Sequence, residues 1–211
     1  MASESGGVAG APLVGVLALQ GDFAEHEAAL HASRLRTRQV RTRADLLGLQ
    51  GLVLPGGEST TMLKLLDVEE LWQPLGEALR SGLPVLATCA GMILIAERVE
   101  NPPQRSYALL PITVVRNGYG RQYHSGTFAL ESETLPAGTT GTFIRAPRIT
   151  HVGAGCEVLA RRGADPVLVQ KGPILAACFH PELQDDHAVC ARFAAMVRTH
   201  AALRPVATRG A

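Results

Sequence analysis

Short uninterrupted runs of apolar residues recur along the chain, and segments with helical spacing fill the gaps between them. The first run, Leu13 to Leu19, is almost wholly apolar, as a strand covered on both faces requires. Gln20 and Gly21 end it, and Asp22 with Glu25 makes a capping-box-like pattern ahead of a helix. A second strand is predicted around Thr37 to Arg41, followed by a short helix near Ala44 to Leu47 that Gly48 stops. Gly51 to Leu54 is the third run; it breaks at Pro55-Gly56-Gly57, after which Ser59 is placed to cap a helix over Thr60 to Leu66. A further helix carries Leu71, Leu75, Ala78 and Leu79 on one stripe, with Pro74 delaying or bending its start. Pro84 to Ala87 is the fourth strand, and Thr88-Cys89-Ala90-Gly91 leads from it into an apolar helix.

From about Asn101 to Lys171 the texture changes to alternating runs split by glycine and proline, such as Ile112 to Val115, Gly126 to Leu130 and Gly141 to Arg145. These read as antiparallel or mixed strands flanking a parallel sheet within the same domain. Pro173 to Phe179 is a last buried strand, and Asp186 caps a final helix whose inward stripe is Val189, Phe193, Met196 and Val197. The alternation predicts an α/β fold, a single-domain three-layer sandwich with a mostly parallel open sheet, helices on both faces and added antiparallel strands. The domain is drawn over residues 13–200, between a flexible leader at 1–12 and a tail at 201–211.

Composition narrows the function classes. Of 211 residues, 46% are hydrophobic and 18% charged, enough for a sizeable core. Twenty basic residues stand against 19 acidic ones, a formal charge of +1, so no field favours nucleic acid or an anionic membrane. No apolar stretch reaches the roughly 18 residues needed to span a bilayer. The opening MASESGGVAGAP has neither the basic start nor the apolar run of an export signal. A cytoplasmic location follows as the expectation, with Cys89, Cys156, Cys178 and Cys190 reduced. The histidines and cysteines lack the close pairing of a structural zinc site, so no metal is expected.

Cys89 sits where an apolar strand turns directly into a helix, in ATCAG. A nucleophile on so tight a turn projects away from the sheet and needs small neighbours, because backbones crowd there. The helix that begins at Ala90 also brings the positive end of its dipole beside the sulfur. The bland alternative is a small buried thiol, the usual state of a cysteine. His180, in FHPEL, also lies just past the carboxyl end of an apolar strand, at the edge where open α/β sheets build their sites. Glu182, two residues on, is the carboxylate that would orient the imidazole for proton transfer. Alone, His180 reads equally well as a surface cap on the last strand. The loop Pro55-Gly56-Gly57-Glu58-Ser59 can turn backbone N–H groups into the site, so that Gly57 and Ala90 form an oxyanion hole. A phosphate loop fails on the missing lysine and spacing, leaving a plain turn as the other reading. Cys156, Cys178 and Cys190 are expected as core thiols, Trp72 as a packing anchor, and His26 as a solvated histidine on the first helix.

The segments LALQGDFAEH, LPGGESTTM, ATCAG, RNGYGRQ, FIRAPRI and FHPEL together resemble the glutaminase subunits of pyridoxal 5′-phosphate synthase, within the class I (triad) glutamine amidotransferases. The likeness runs from about Val14 to about Val197. It implies a hydrolase that releases ammonia from L-glutamine through Cys89, His180 and Glu182. It also implies that Gly57, Glu58 and Ser59 form the glutamine-binding loop. Arg116, Ile144 and Arg145 would hold the α-amino and α-carboxylate ends, and Gln20 belongs to the oxyanion region and the partner contact. The implied partner is a synthase subunit of (β/α)₈ fold in a large hetero-oligomer. No organic cofactor is implied; pyridoxal phosphate would be the assembly's product. Two departures stand out: Ala87 where the family usually has glycine, and YHSGTF after GRQ in place of an acidic residue and Ser-Phe-Glu, with Tyr123 and His124 facing solvent. The competing assignments are the glutaminase of another amidotransferase, such as imidazole glycerol phosphate synthase, and a non-catalytic docking subunit.

Overall fold

In the computed structural model, which describes residues 4–5, 10–119 and 125–203, the uninterrupted apolar runs become the inner strands of one sheet. In chain order the elements begin with β1 (Glu4–Ser5), β2 (Leu13–Leu17), α1 (Phe23–Ala32) and β3 (Arg36–Val40). Then follow β4 (Gly51–Leu54), α2 (Ser59–Val68), α3 (Trp72–Arg80), β5 (Val85–Thr88), α4 (Ala90–Ile95) and β6 (Ala96–Glu100). The β-rich stretch holds β7 (Leu110–Val115), β8 (Gly126–Ala129), β9 (Thr140–Phe143), β10 (Arg148–Val152), β11 (Glu157–Arg162) and β12 (Asp165–Lys171). The chain closes with β13 (Ile174–Ala177) and α5 (Ala188–Leu203). Single turns of 3₁₀ helix lie at Arg43–Leu46 and Pro181–Leu183.

The large sheet has the order β1-β3-β2-β4-β5-β13-β12-β11. Its five inner strands, β3 to β13, run parallel, whereas β1, β12 and β11 join antiparallel. Every residue of β2, β4, β5 and β13 is buried, which is why these strands read as unbroken apolar runs rather than as alternation. Glu4–Ser5, inside the segment expected to be a leader, pair with Thr37 and Arg38 of β3, so part of that segment belongs to the sheet.

The chain winds outward from β2 to β3, then returns across β2 to β4 and continues to β5. Right-handed crossovers therefore place α1 and the α2–α3 pair on opposite faces. Helix α1 packs on α5, and α2 packs on α3 and α4. Phe193 and Val197 of α5 lie over Gly51, where a Cβ would come within 2.7 Å of Val197. That close approach explains why a glycine opens β4. Phe143, Phe179 and Phe193 are fully buried, each contributing roughly 1.5–3 kcal/mol by removal from water.

Residues 96–152 build two smaller sheets, β10-β7-β6 and β8-β9. Here the structure corrects several sequence expectations. The apolar helix after Cys89 lasts only to Ile95, and at Ala96 the backbone becomes extended and starts β6. Ser59 does not cap α2; Glu58 does, accepting from the Thr61 N–H at 2.7 Å. Asp22 makes no side-chain cap on α1; its carboxylate is engaged elsewhere. Pro74 falls within the first turn of α3, where it displaces no helical hydrogen bond. Trp72 stacks on Tyr107 with ring centroids 4.0 Å apart, the expected anchor. Cys178 and Cys190 are fully buried, whereas Cys156 is only partly so. Burial pushes the thiol of Cys190 up to about 12 and that of Cys178 higher still. The segment 120–124, which includes Tyr123 and His124, lies outside the described residues. Among the described residues no helix is long and apolar enough to cross a membrane.

Candidate active site

Four loops leave the carboxyl edge of the parallel strands side by side: residues 18–22 after β2, 55–58 after β4, Cys89 after β5, and 178–182 after β13. This is the edge where open α/β sheets place their sites, beside the reversal of winding between β2 and β4. Because β5 and β13 are adjacent and in register at Thr88 and Ala177, the Cys89 N–H donates to the Ala177 carbonyl at 2.9 Å. The strand pairing by itself therefore brings Cys89 next to the turn that carries His180.

Cys89 has φ +47° and ψ −104°, a backbone state that L-residues adopt at a cost of about 1–3 kcal/mol. Tight surroundings hold it there. A Cβ on Gly91 would lie 2.0 Å from the Leu54 carbonyl oxygen, so only glycine lets α4 pass that close to β4. Ala87 is fully buried in β5 and does not have a positive φ, so its methyl is accommodated. Ala90 is the first residue of α4, and its N–H is one that no helix carbonyl can take.

The His180 side chain is close enough to Cys89 for the thiol to raise the imidazole pKa. Its Nδ1 lies 2.8 Å from Glu182 Oε1 and 3.2 Å from Asp22 Oδ2. Glu182 is 5% exposed and His180 3%, so these contacts operate with little screening by water. Burial pulls the imidazole pKa down, but Asp22, Cys89 and Glu182 win and raise it well above the ordinary histidine range. The bond to His180 in turn holds the Asp22 carboxyl below its usual range, against the effect of its own burial. The turn itself is fixed from β9: the His180 N–H donates to the Thr142 carbonyl at 2.8 Å. Gln184 bridges the Thr140 and Thr142 hydroxyls at 2.6 Å each.

Asp22, a helix cap by its sequence pattern, here supplies a second carboxylate to His180. Its effect has a definite sign. Asp22→Asn removes one anion that favours the imidazolium, so the proton leaves His180 at lower pH. The alkaline limb of a kcat/KM profile for the variant is expected to move toward lower pH, while the KM for substrate stays near the parent value.

Gly57, Glu58, Ser59, Cys89, Ile93, Arg116, Asn117, Ile144, Arg145 and Pro147 line one cleft over the sulfur. The structure thus gathers every expected substrate-binding residue around Cys89. Three of them behave in ways the sequence does not indicate. Glu58 is occupied with its own loop: burial opposes ionisation, but bonds from Thr61 and Thr60 hold its carboxyl at about 2. Arg116 donates to that carboxylate at 3.1 Å and to the Thr60 hydroxyl at 3.0 Å. Ser59 turns its hydroxyl to Gln104 at 2.9 Å. Arg145, on the other wall, has φ +46°, an uncommon state for a side-chain-bearing residue and one often found at sites.

Gln20 packs on the Gly57 backbone. Its Oε1 accepts from the Glu58 N–H at 3.1 Å, and its Nε2 is buried without a hydrogen-bond partner. A Cβ on Gly57, whose φ is +132°, would sit 2.6 Å from that amide. The two strand-end loops are therefore interlocked.

His26 overturns its reading as a solvated histidine. It is fully buried, with Nε2 3.2 Å from Glu182 Oε2 and 3.0 Å from the Thr88 hydroxyl. Its spacing of four from Asp22 puts the two on one face of α1, the one sequence signal that could pair them. Among the described residues, Asp22, His180 and Glu182 form the group of side chains spaced for a metal ion. An ion there would displace the Nδ1 proton that both carboxylates accept, removing the base from the arrangement.

A family model described as the SNO glutamine amidotransferase family matches residues 16–199. The pyridoxal 5′-phosphate synthase subunit PdxT of Thermotoga sp. (strain RQ2) is 46% identical over 186 residues, covering 88% of this chain and 99% of the relative. The protein of the same name from Solibacter usitatus (strain Ellin6076) is 48% identical over 186 residues, covering 85% and 96%. A crystal structure described as glutamine amidotransferase superposes with a TM-score of 0.81 at 42% identity, covering 88% of this chain and 98% of the other. A putative GMP synthase component from Thermoplasma acidophilum, 19% identical with a TM-score of 0.70, covers 92% of this chain and 97% of its own and shares the fold.

Proposed function

Since the chain belongs to the SNO glutamine amidotransferase family, we propose that it is the glutaminase subunit of a pyridoxal 5′-phosphate synthase, with Cys89, His180 and Glu182 as its triad. The observation that carries the site assignment is the His180 imidazole, 2.8 Å from Glu182 and beside Cys89, which itself lines the cleft with Arg116 and Arg145.

The reaction follows from those parts. Cys89, as the thiolate beside the His180 imidazolium, attacks the carboxamide carbon of L-glutamine. Arg116, Ile144 and Arg145, with the 57–59 loop, hold the α-amino and α-carboxylate ends. The N–H groups of Gly57 and Ala90 receive the charge on the tetrahedral oxygen, each worth about 3 kcal/mol of barrier. Collapse of the intermediate breaks the C–N bond, and the imidazolium protonates the departing ammonia. His180 then takes a proton from water, whose oxygen adds to the acyl carbon; the C–S bond breaks, releasing glutamate and regenerating the thiolate and imidazolium. The triad is built wholly from side chains and needs no organic cofactor.

Ammonia passes to a separate synthase subunit of (β/α)₈ fold within a hetero-oligomer, and Gln20, which bonds the Glu58 N–H, is assigned to that partner contact. The free cysteines suit the reducing cytoplasm. The test is ammonia release from glutamine measured with and without the synthase subunit, with the product of the assembly identified. The expected result is faster turnover on docking and pyridoxal phosphate as product. Formation of another product would move the chain to a different amidotransferase, and no release in either condition would leave a docking subunit.

A further inference from the structure

Glu182 has two carboxylate oxygens, and the mechanism uses one. Oε1 meets His180; Oε2 is buried, makes no hydrogen bond, and lies 3.2 Å from the Nε2 of His26. The same Nε2 lies 3.0 Å from the hydroxyl of Thr88, the residue immediately before the nucleophile. The contacts therefore close a ring: Cys89 to His180, His180 to Glu182, Glu182 to His26, His26 to Thr88, and Thr88 through the backbone to Cys89.

The tautomer follows from the surroundings. Burial disfavours the charged form of His26, so its ring carries one N–H. A hydrogen on Nδ1 would leave a buried donor with nothing to receive it and would turn a lone pair toward the carboxylate. A hydrogen on Nε2 leaves only an unpaired acceptor at Nδ1, the atom that has no partner, which costs less. The Nε2–H then bonds the Thr88 hydroxyl and lies 3.2 Å from Glu182 Oε2, presenting the positive end of the ring's N–H dipole to that oxygen. Without it the buried Oε2, which has no hydrogen bond of its own, would lose its positive neighbour, and rotation of Glu182 to find another would withdraw Oε1 from His180.

We propose that His26 is a positioning residue of the glutaminase site: its Nε2–H locks Glu182 and ties the acid–base pair to the strand end that carries the nucleophile. It touches no substrate and does not line the cleft; it acts through Glu182. The inference rests on the triad assignment above.

The test compares two variants in the assembled synthase, His26→Gln and His26→Leu. Gln keeps an N–H near the position of Nε2, whereas Leu fills the space without a donor. His26→Leu is expected to lower kcat roughly ten- to a hundredfold with KM for glutamine unchanged, as loss of transition-state alignment requires. His26→Gln is expected to stay within about threefold of the parent. Equal activity of the two, or a rise in KM at constant kcat, overturns the proposal. Should His26→Leu not fold, Thr88→Val, which removes the other anchor at nearly constant volume, takes its place, and an unchanged kcat in that variant overturns it. An inactive parent assembly would instead refute the glutaminase assignment, so the two failures are distinguishable.

Discussion

Cys89→Ala is expected to abolish ammonia release, by at least about 10⁴-fold in the presence of the synthase partner, while leaving the circular dichroism and melting temperature close to those of the parent. The size of the effect follows from the role of the sulfur. In the proposed reaction it is the atom that bonds to the substrate carbon, and among the described residues the other hydroxyl or thiol lining the cleft, Ser59, is bonded to Gln104. The small effect on stability follows from packing. The side chain loses a single heavy atom, at a site 6% exposed beside an open cleft, which costs about 1 kcal/mol. The positive φ of residue 89 strains alanine as it strains cysteine, so that term cancels between them. Glycine at 89 removes it, and Cys89→Gly should melt no lower than Cys89→Ala. Undiminished turnover in Cys89→Ala would end the assignment of the nucleophile.

Gly56→Ala should cost activity at one remove. A Cβ at residue 56 would stand 2.5 Å from Cε1 of His180 and 3.0 Å from Oδ2 of Asp22. Neither distance is tolerable, so the imidazole must retreat, and it is the group least free to do so. Its Nδ1 is fixed by Glu182 and Asp22, and its backbone by Thr142. A displacement approaching 1 Å at a proton-transfer group lowers turnover by about 10²-fold. The loss is expected in kcat, measured as ammonia released at saturating glutamine, with the variant still folded because the clash is with side chains and not with backbone. Near-parental kcat would mean that the imidazole has more freedom than its bonds indicate.

The legibility of this site in the sequence divides along physical lines. Cys89, His180 and Glu182 are readable because each sits at or just past the end of a strand whose apolar run is unbroken, so the edge from which they project follows from the pattern. Gly56 and Gly57 are readable as a strand-end turn, though not as spacers against His180 and Gln20. The misreadings concern side chains whose partners are remote in sequence. Asp22 looks like a cap because Glu25 follows three residues later; the carboxylate instead bonds to a histidine 158 positions away in sequence. Ser59 looks like a cap because serine favours that role, yet Glu58 reaches the same N–H and also meets Arg116. The pattern leaves the end of the helix after Cys89 open because Met92 to Ala96 is equally apolar as helix or strand, and periodicity cannot separate the two over so few residues.

By itself the sequence determined the layered α/β architecture, the parallel core and the strand ends that carry the nucleophile and the base. Burial on both faces writes those features directly into runs of apolar residues. Only the tertiary structure decided which oxygen of Glu182 meets which histidine, and that His26 is buried beneath the triad. It also decided that Arg116 is tied to Glu58 across the mouth of the cleft. Such choices depend on distances between elements that fold together from distant parts of the chain, and a one-dimensional pattern carries the period of each element but not the angle at which two of them meet.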